Sequence, residues 1–402
     1  TLNSQLQLGS ETDFYQFTGA AGQRVSLDNI SATLSSATWR LVGPASQNLL
    51  GGGLLTDLGP VVLPANGPYF VLLEGVNEDI PSIAYQVRIV DSTEAPVVPA
   101  GFGGENSGDI AAGQQTDFQF TAPAGLLIYF DSLDRTGVAL SFELRDPDNN
   151  SVFTASVTAD AGPYMLARAG TYTGTVRGNS PASTGTYRFR LVDVSNAPPL
   201  ALDAIVAANL DPGYKADVYR FTGATGQRLF YDALENENDS VFARLLLPDA
   251  TFRLLNHNSD TDVGPFTLPA PGSYYLFLDG AMPTPTDYKF RLLDVANQPL
   301  AQADTPITGT FDPGLKVFLY RLPVAAGQHL YFDGTRENSG GQWYCYGPNN
   351  EYLGSAGLNG DFELFFAQAG ACVLVLYGTS TTPAAFTVQI MGWRELVGDL
   401  PD

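Results

Sequence analysis

Hydrophobic and polar residues alternate along most of this chain with the two-residue period of a strand that buries one face and wets the other. The clearest stretches are Tyr85–Ile89, Tyr187–Leu191, Tyr288–Leu292 and Phe386–Ile390, where Tyr, Phe, Val, Leu and Ile alternate with Lys, Arg, Gln and Thr. Turn residues separate such stretches, as at Asp211–Gly213, Pro248-Asp249 and Pro271-Gly272. Between residues 199 and 300 the pattern predicts about eight strands, around Val206, Val218, Leu229, Ala243, Phe252, Phe266, Tyr274 and Tyr288, and no helix. Eight short strands at this spacing predict a two-sheet antiparallel sandwich of the jelly-roll kind.

The pattern occurs four times. An alternating strand runs into a small glycine loop at Asp13–Arg24, Thr116–Gly125, Asp217–Arg228 and Leu319–His329. The aligned glycines, Gly22, Gly125, Gly226 and Gly327, are 103, 101 and 101 residues apart. Each loop continues into an apolar-Asp step: Leu27-Asp28, Phe130-Asp131, Tyr231-Asp232 and Phe332-Asp333. A later strand opens at Gly67, Gly170, Gly272 and Gly370. The chain therefore reads as all-β, four tandem antiparallel β-sandwich domains over 1–95, 96–198, 199–300 and 301–402. The first three close on an Asp-to-Pro segment (Asp91–Pro96, Asp193–Pro198, Asp294–Pro299), which the fourth replaces with Met391-Gly-Trp393. That contrast assigns the segment to the joint between domains. Short Pro-bearing joints are semi-rigid, and four sandwiches in line predict a rod.

These motifs resemble a known family. The Tyr-x-Phe strand, the Ala-x-Gly-Gln loop, the apolar-Asp step, the turn at Leu246–Asp249 (compare Leu144–Pro147), the strand opening at Gly272–Tyr275 and the closing Tyr-x-Phe-x-Leu strand are similar to the bacterial pre-peptidase C-terminal (PPC) domain. Four tandem copies would cover essentially the whole chain. The resemblance implies a non-catalytic sandwich of secreted bacterial proteins, associated with secretion, polymer binding and, in collagen-binding relatives, calcium. The fourth repeat departs furthest: Leu322-Pro323 replaces Phe-Thr, and Cys372 stands where the others have Tyr.

Charge then narrows the partners. With 20 Lys+Arg against 42 Asp+Glu the net charge is −22, which repels nucleic acid and anionic membranes and attracts cations. No apolar run approaches the length that spans a bilayer, so no membrane insertion is expected. The sequence opens at Thr1 without Met, as a removed signal peptide or trimming would leave it. Cys345 and Cys372 both fall in strand-like stretches of the last repeat; one disulfide is the expectation and two buried thiols the alternative.

Candidate chemistry is sparse. His329 aligns with Arg24 and Arg228, His257 sits in a turn-like Leu-Asn-His-Asn-Ser, and neither has a repeated nucleophile or acid beside it. No phosphate-cradling glycine loop and no His-Glu-x-x-His motif occurs, so the protein reads as a non-enzyme. Two repeated sets of aspartates are candidate calcium ligands, because a hard cation wants several carboxylate and carbonyl oxygens. The strand-end set is Asp28, Asp131, Asp232 and Asp333, with Asn236, Glu237 and Asn238 following the third; the joint set is Asp91, Asp193 and Asp294. The competing reading of both sets is an Asx turn that caps backbone amides. Trp39 and Trp343 align in one strand and are expected in the core rather than on a sugar platform. Asn-x-Ser triplets at Asn29, Asn149 and Asn238 are expected to be coincidental.

The function expected from these features is a secreted or cell-surface structural or adhesive protein without catalysis. It would be a multi-domain rod or an assembly subunit of a filament or surface layer, with self-association through sandwich edge strands. The alternative is an accessory module that binds an extracellular carbohydrate or protein polymer, with calcium as the candidate ion.

Overall fold

The protein is represented by a computed structural model that describes residues 1–79, 82–91, 97–136, 139–180, 182–235, 240–338 and 340–393. The linker residues Ser92–Pro96 and the polar run Asn236, Glu237 and Asn238 lie outside the described residues.

In the first repeat eight strands form: β1 (Leu2–Leu6), β2 (Thr12–Gly19), β3 (Arg24–Ala32), β4 (Ala37–Val42), β5 (Asn48–Gly53), β6 (Leu58–Val62), β7 (Gly67–Gly75) and β8 (Ile83–Asp91). They pair as two antiparallel sheets, β1-β8-β3-β6 and β2-β7-β4-β5, which is the strand order of a jelly roll. All four repeats share this order, and the eight strands expected between residues 199 and 300 are present at the expected places. The four tandem sandwiches are thus established.

The sheets face each other through the alternating apolar residues, and each repeat has its own core. In the first it holds Leu27, Trp39, Leu41, Tyr69, Val71 and Tyr85; in the last, Leu330, Phe332, Trp343, Cys345, Cys372 and Leu374. The loop glycines Gly22, Gly125, Gly226 and Gly327 adopt φ of 85°, 85°, 79° and 78°, a left-handed turn that a side chain resists.

One device appears at the entrance of repeats 2 to 4. The counterpart of β2 is an edge strand, and the arriving linker covers that edge. In repeat 2 Val97–Pro99 pairs parallel to Gln115–Ala122, and in the next two repeats single bridges, Pro199 to Arg220 and Leu300 to Arg321, do so. In repeat 1, β2 pairs only with β7 among the described residues. Helical structure among the described residues is confined to two single 3-10 turns, Val194–Asn196 and Val295–Asn297, within the predicted joints. No described helix is long and apolar enough to cross a membrane.

The chain divides into two compact units, Thr1–Ser195 and Asn196–Asp402, each containing two sandwiches.

Candidate functional site

The strand-end aspartates are the most regular polar feature of the fold, and the structure places three of them against arginines. Asp28 lies on β3 opposite Arg88 of β8, whose Nε donates to Asp28 Oδ2 at 2.8 Å. Asp131 meets Arg190 and Asp232 meets Arg291, the latter with Nε to Oδ2 at 2.7 Å. Asp131 and Asp232 are fully buried. A buried carboxylate needs this compensation, because leaving water costs several kcal/mol when no partner replaces it. In repeat 4 the arginine is replaced, and Asp333 pairs across the sheet with Gln389.

The difference at repeat 4 shows what the arginines do. Arg88 also donates from Nη2 to Gly113 O, at 3.0 Å, in the following sandwich. Arg291 donates from Nη2 to Val317 O at 2.8 Å, while Asp232 Oδ1 accepts the Val317 N–H at 3.1 Å. These two pairs therefore clamp the backbone of the next domain just before, or at the start of, its second strand. Burial pushes the Asp232 carboxyl up to about 6, against the opposing pull of Arg291.

A second set of aspartates supports the clamp, and the sequence reading missed it. Asp57, Asp160, Asp262 and Asp361 accept the backbone N–H of Asn29, Ser132, Ala233 and Gly334, one residue past each strand-end aspartate, at 2.8, 2.8, 2.8 and 2.9 Å. Burial raises Asp57 to about 6, and burial raises Asp262 well above the usual carboxylate range. The signal was available as Asp-x-Gly-Pro at 57–60, 160–163 and 262–265, which becomes Asp361-Phe-Glu-Leu364 in repeat 4. The arginines were equally visible as the last polar position of the closing strand, Arg in three repeats and Gln389 in the fourth.

The joint aspartates end the closing strands. Asp294 caps the 3-10 turn by accepting the Ala296 N–H at 2.9 Å, and it accepts Gln227 Nε2 at 2.7 Å. Asp91 accepts Gln23 Nε2 at the same distance, so the glutamine of the glycine loop ties down the exit of the domain. Asp193 pairs across the sheet with Ile128. Among the described residues no three His, Cys, Asp or Glu side chains group as a metal site would require.

Between clamp and glycine loop lies the rest of each joint, and the two joints internal to the units differ. At the first, Arg24 of repeat 1 forms a 2.8 Å ion pair with Asp117, which is fully buried and also accepts Thr175 Oγ1 at 2.6 Å. Arg177 returns a bond to Gly59 O at 2.8 Å. At the other, Phe230, Leu293 and Val295 of repeat 3 pack on Val317, Leu319, Val373 and Val375 of repeat 4. Arg228 borders this apolar patch, donating to Asn350 Oδ1, Gly347 O and Ala371 O.

The remaining candidates resolve simply. Trp39 and Trp343 are core residues, as expected. Cys345 and Cys372 are two buried thiols; no disulfide joins them in this structure. His257 is on the strand Phe252–Asn258 rather than in a turn, and it is exposed. His329 is exposed with its ring 5.0 Å from that of Trp393 and 5.3 Å from that of Phe365. A recess of about 670 Å³ beside Arg228 and Asn350 is lined by no acid, histidine or cysteine.

No family model matches the chain, and no curated protein matches it. The likeness to the PPC domain is therefore carried by the motifs alone. Among solved structures the chain is similar to a triple jelly-roll protein of an archaeal virus turret, at 13% identity over 76% of this chain and 85% of that one, with a TM-score of 0.15. It is similar to the secreted serine protease VesC from Vibrio cholerae, at 9% identity over 94% and 99% of the two chains, with a TM-score of 0.18. It is also similar to the BSP domain of a biofilm-associated protein, at 9% identity over 96% of each chain, with a TM-score of 0.14. Scores this low carry no argument about function, so what stands is the tandem β-sandwich architecture read from the strand order.

Proposed function

We propose that this protein is a secreted or cell-surface structural element, a string of sandwiches in which the joint inside each compact unit holds its two domains in fixed register. The observation that carries the reading is the repeated clamp, in which an ion pair of one domain binds the backbone of the next. Recurring side chains fasten the domains together at the two joints inside the units. The surface charge of −22 keeps such a chain soluble and discourages non-specific association.

A second reading, a module that holds an extracellular polymer, is favoured by one observation: Trp393 and Phe365 are exposed on the last repeat, at 62% and 61%. Sedimentation with insoluble cellulose, chitin and peptidoglycan separates the two. A structural element stays in the supernatant. Retention that a soluble fragment of the same polymer competes away would replace the structural reading with the binding one.

A further inference from the structure

The joint between repeats 3 and 4 has two halves, and each half has a homologous face elsewhere in the chain that no described residue covers. In repeat 4 the receiving half is the outer face of its β2-β7-β4 counterparts. There Leu319 lies opposite Val375, Val317 opposite Tyr377, and Tyr346 opposite Val373. The same registers in repeat 1 place Phe14 opposite Leu72, Thr12 opposite Glu74, and Val42 opposite Phe70. Phe14 thus occupies the position of Leu319. Leu319 is 3% exposed beneath the preceding domain, whereas Phe14 is 70% exposed. Phe70, Leu72 and Val42 around it are half-buried, and the Arg40–Glu74 ion pair borders them.

The other half is on the last repeat. In repeat 3 Phe230 lies opposite Leu293, with Val295 two residues on; in repeat 4 the register puts Tyr331 opposite Met391, with Trp393 two residues on. The clamp arginine is absent here, Gln389 stands in its place opposite Asp333, and Tyr331 donates to Asp361 Oδ2 at 2.9 Å. Tyr331, Met391, Gly392, Trp393 and Asp304 line a recess of about 410 Å³. A protruding phenylalanine on the first repeat and a largely apolar recess on the last occupy the positions that meet in an observed joint.

We propose that a second copy of this chain seats its last repeat on the first repeat of its neighbour, with Phe14 entering the recess at Tyr331, Met391 and Trp393. This deepens the structural reading above and rests on it. The centres of these faces, Phe14 with Leu72 and Tyr331 with Met391, follow the apolar chemistry of the 3/4 joint, while the Arg40–Glu74 pair at the rim of the first keeps the charged positions of the 1/2 joint. The contact is heterologous, since two different patches meet, so it extends head to tail unless the rotation closes a ring. In the other repeats a linker covers the edge strand that corresponds to β2, whereas in repeat 1 β2 pairs only with β7 among the described residues.

The test is sedimentation equilibrium of the whole chain from roughly 1 µM to 1 mM, a window that brackets ordinary head-to-tail affinities. The wild type is expected to grow with concentration. Phe14→Asp and Trp393→Asp should each weaken association at least about 30-fold, as loss of a central interface anchor does. Both residues are exposed, so both variants should fold with unchanged circular dichroism. Mixing the two variants is decisive: each keeps one intact face, so the mixture should form dimers and stop there. A chain monomeric throughout, or association that neither substitution weakens, overturns the proposal while leaving the structural reading in place if no polymer retains the protein. Retention on an insoluble polysaccharide that Trp393→Asp abolishes would overturn both.

Discussion

The two joints internal to the units use the same backbone positions and opposite chemistry. The receiving face of repeat 2 presents Asp117, Thr175, Arg177, Glu143 and Arg145, and at the matching registers repeat 4 presents Leu319, Val375, Tyr377, Tyr344 and Tyr346. On the delivering side Ser26 stands in repeat 1 where Phe230 stands in repeat 3. The clamp, an aspartate held by an arginine that also reaches the next domain's backbone, is common to both. Register is therefore set by the clamp, and the patch it encloses is free to be ionic or apolar.

The largest effect that would break this comparison comes from the ionic joint. Asp117→Ala leaves Arg24 buried without its carboxylate, and breaking one side of such a pair costs about 3–5 kcal/mol. Calorimetry of the whole chain should show one transition lowered by many degrees. A shift of only a degree or two would mean that water reaches Arg24 and that the joint is loose. The apolar joint should respond next. Leu319→Ala removes a buried side chain at the centre of the patch and should cost about 2–4 kcal/mol. Added salt should leave that loss unchanged, since no charge is involved.

A smaller effect follows from pH. Asp57 and Asp232 titrate near 6 in the folded protein against 3.8 for an ordinary aspartate, burial being the main cause in both. An acid whose folded value is raised binds its proton more tightly when folded, so its stabilising contribution is complete below about 4 and is lost as pH rises through 6. Stability should accordingly rise as pH falls from 7 to 5, by roughly 1 kcal/mol for Asp232 and less for the more exposed Asp57. Asp232→Asn should flatten the part of this rise that belongs to its own transition. A melting temperature that falls steadily from pH 7 to 5 would contradict the assignment.

Much of this architecture was legible in the sequence because strand alternation reports directly on burial. Tyr85, Val87 and Ile89 alternate with Gln86 and Arg88, and the buried side of that strand is the expected one. The joints were legible only in outline. The Asp-to-Pro segments and their loss after Ile390 marked where domains meet, but not what meets there. Arg88, Arg190 and Arg291 look like ordinary solvated positions of an alternating strand, and only pairing across the sheet brings them to Asp28, Asp131 and Asp232. The repeated aspartates stand in the sequence as candidates for calcium or for an Asx turn, because one sequence shows the carboxylates and hides the guanidinium that arrives about 60 residues later. Cys372 was legible as a departure, and its meaning needed the third dimension: it lies in the core beside Cys345, where the other repeats bury a tyrosine.

The smallest expected effect concerns calcium, and the four strand-end aspartates turn it into a comparison of their own. Calcium takes six to eight oxygens, and a carboxylate held in two hydrogen bonds by an arginine has few lone pairs and little net charge to offer. Asp28 and Asp232 are in that position and Asp131 accepts Arg190 Nε, whereas Asp333 faces the neutral Gln389 and is half-buried. Exchanging calcium for a chelator should therefore leave the transition of the first unit within about 1 °C, because a ligand that does not bind the folded state cannot stabilise it. Any response should belong to repeat 4 and vanish in Asp333→Asn. If instead the first unit loses several degrees on chelation and Asp28→Asn removes that loss, a cation competes with Arg88 for the clamp. The joints would then be cation-tuned rather than fastened by arginine alone.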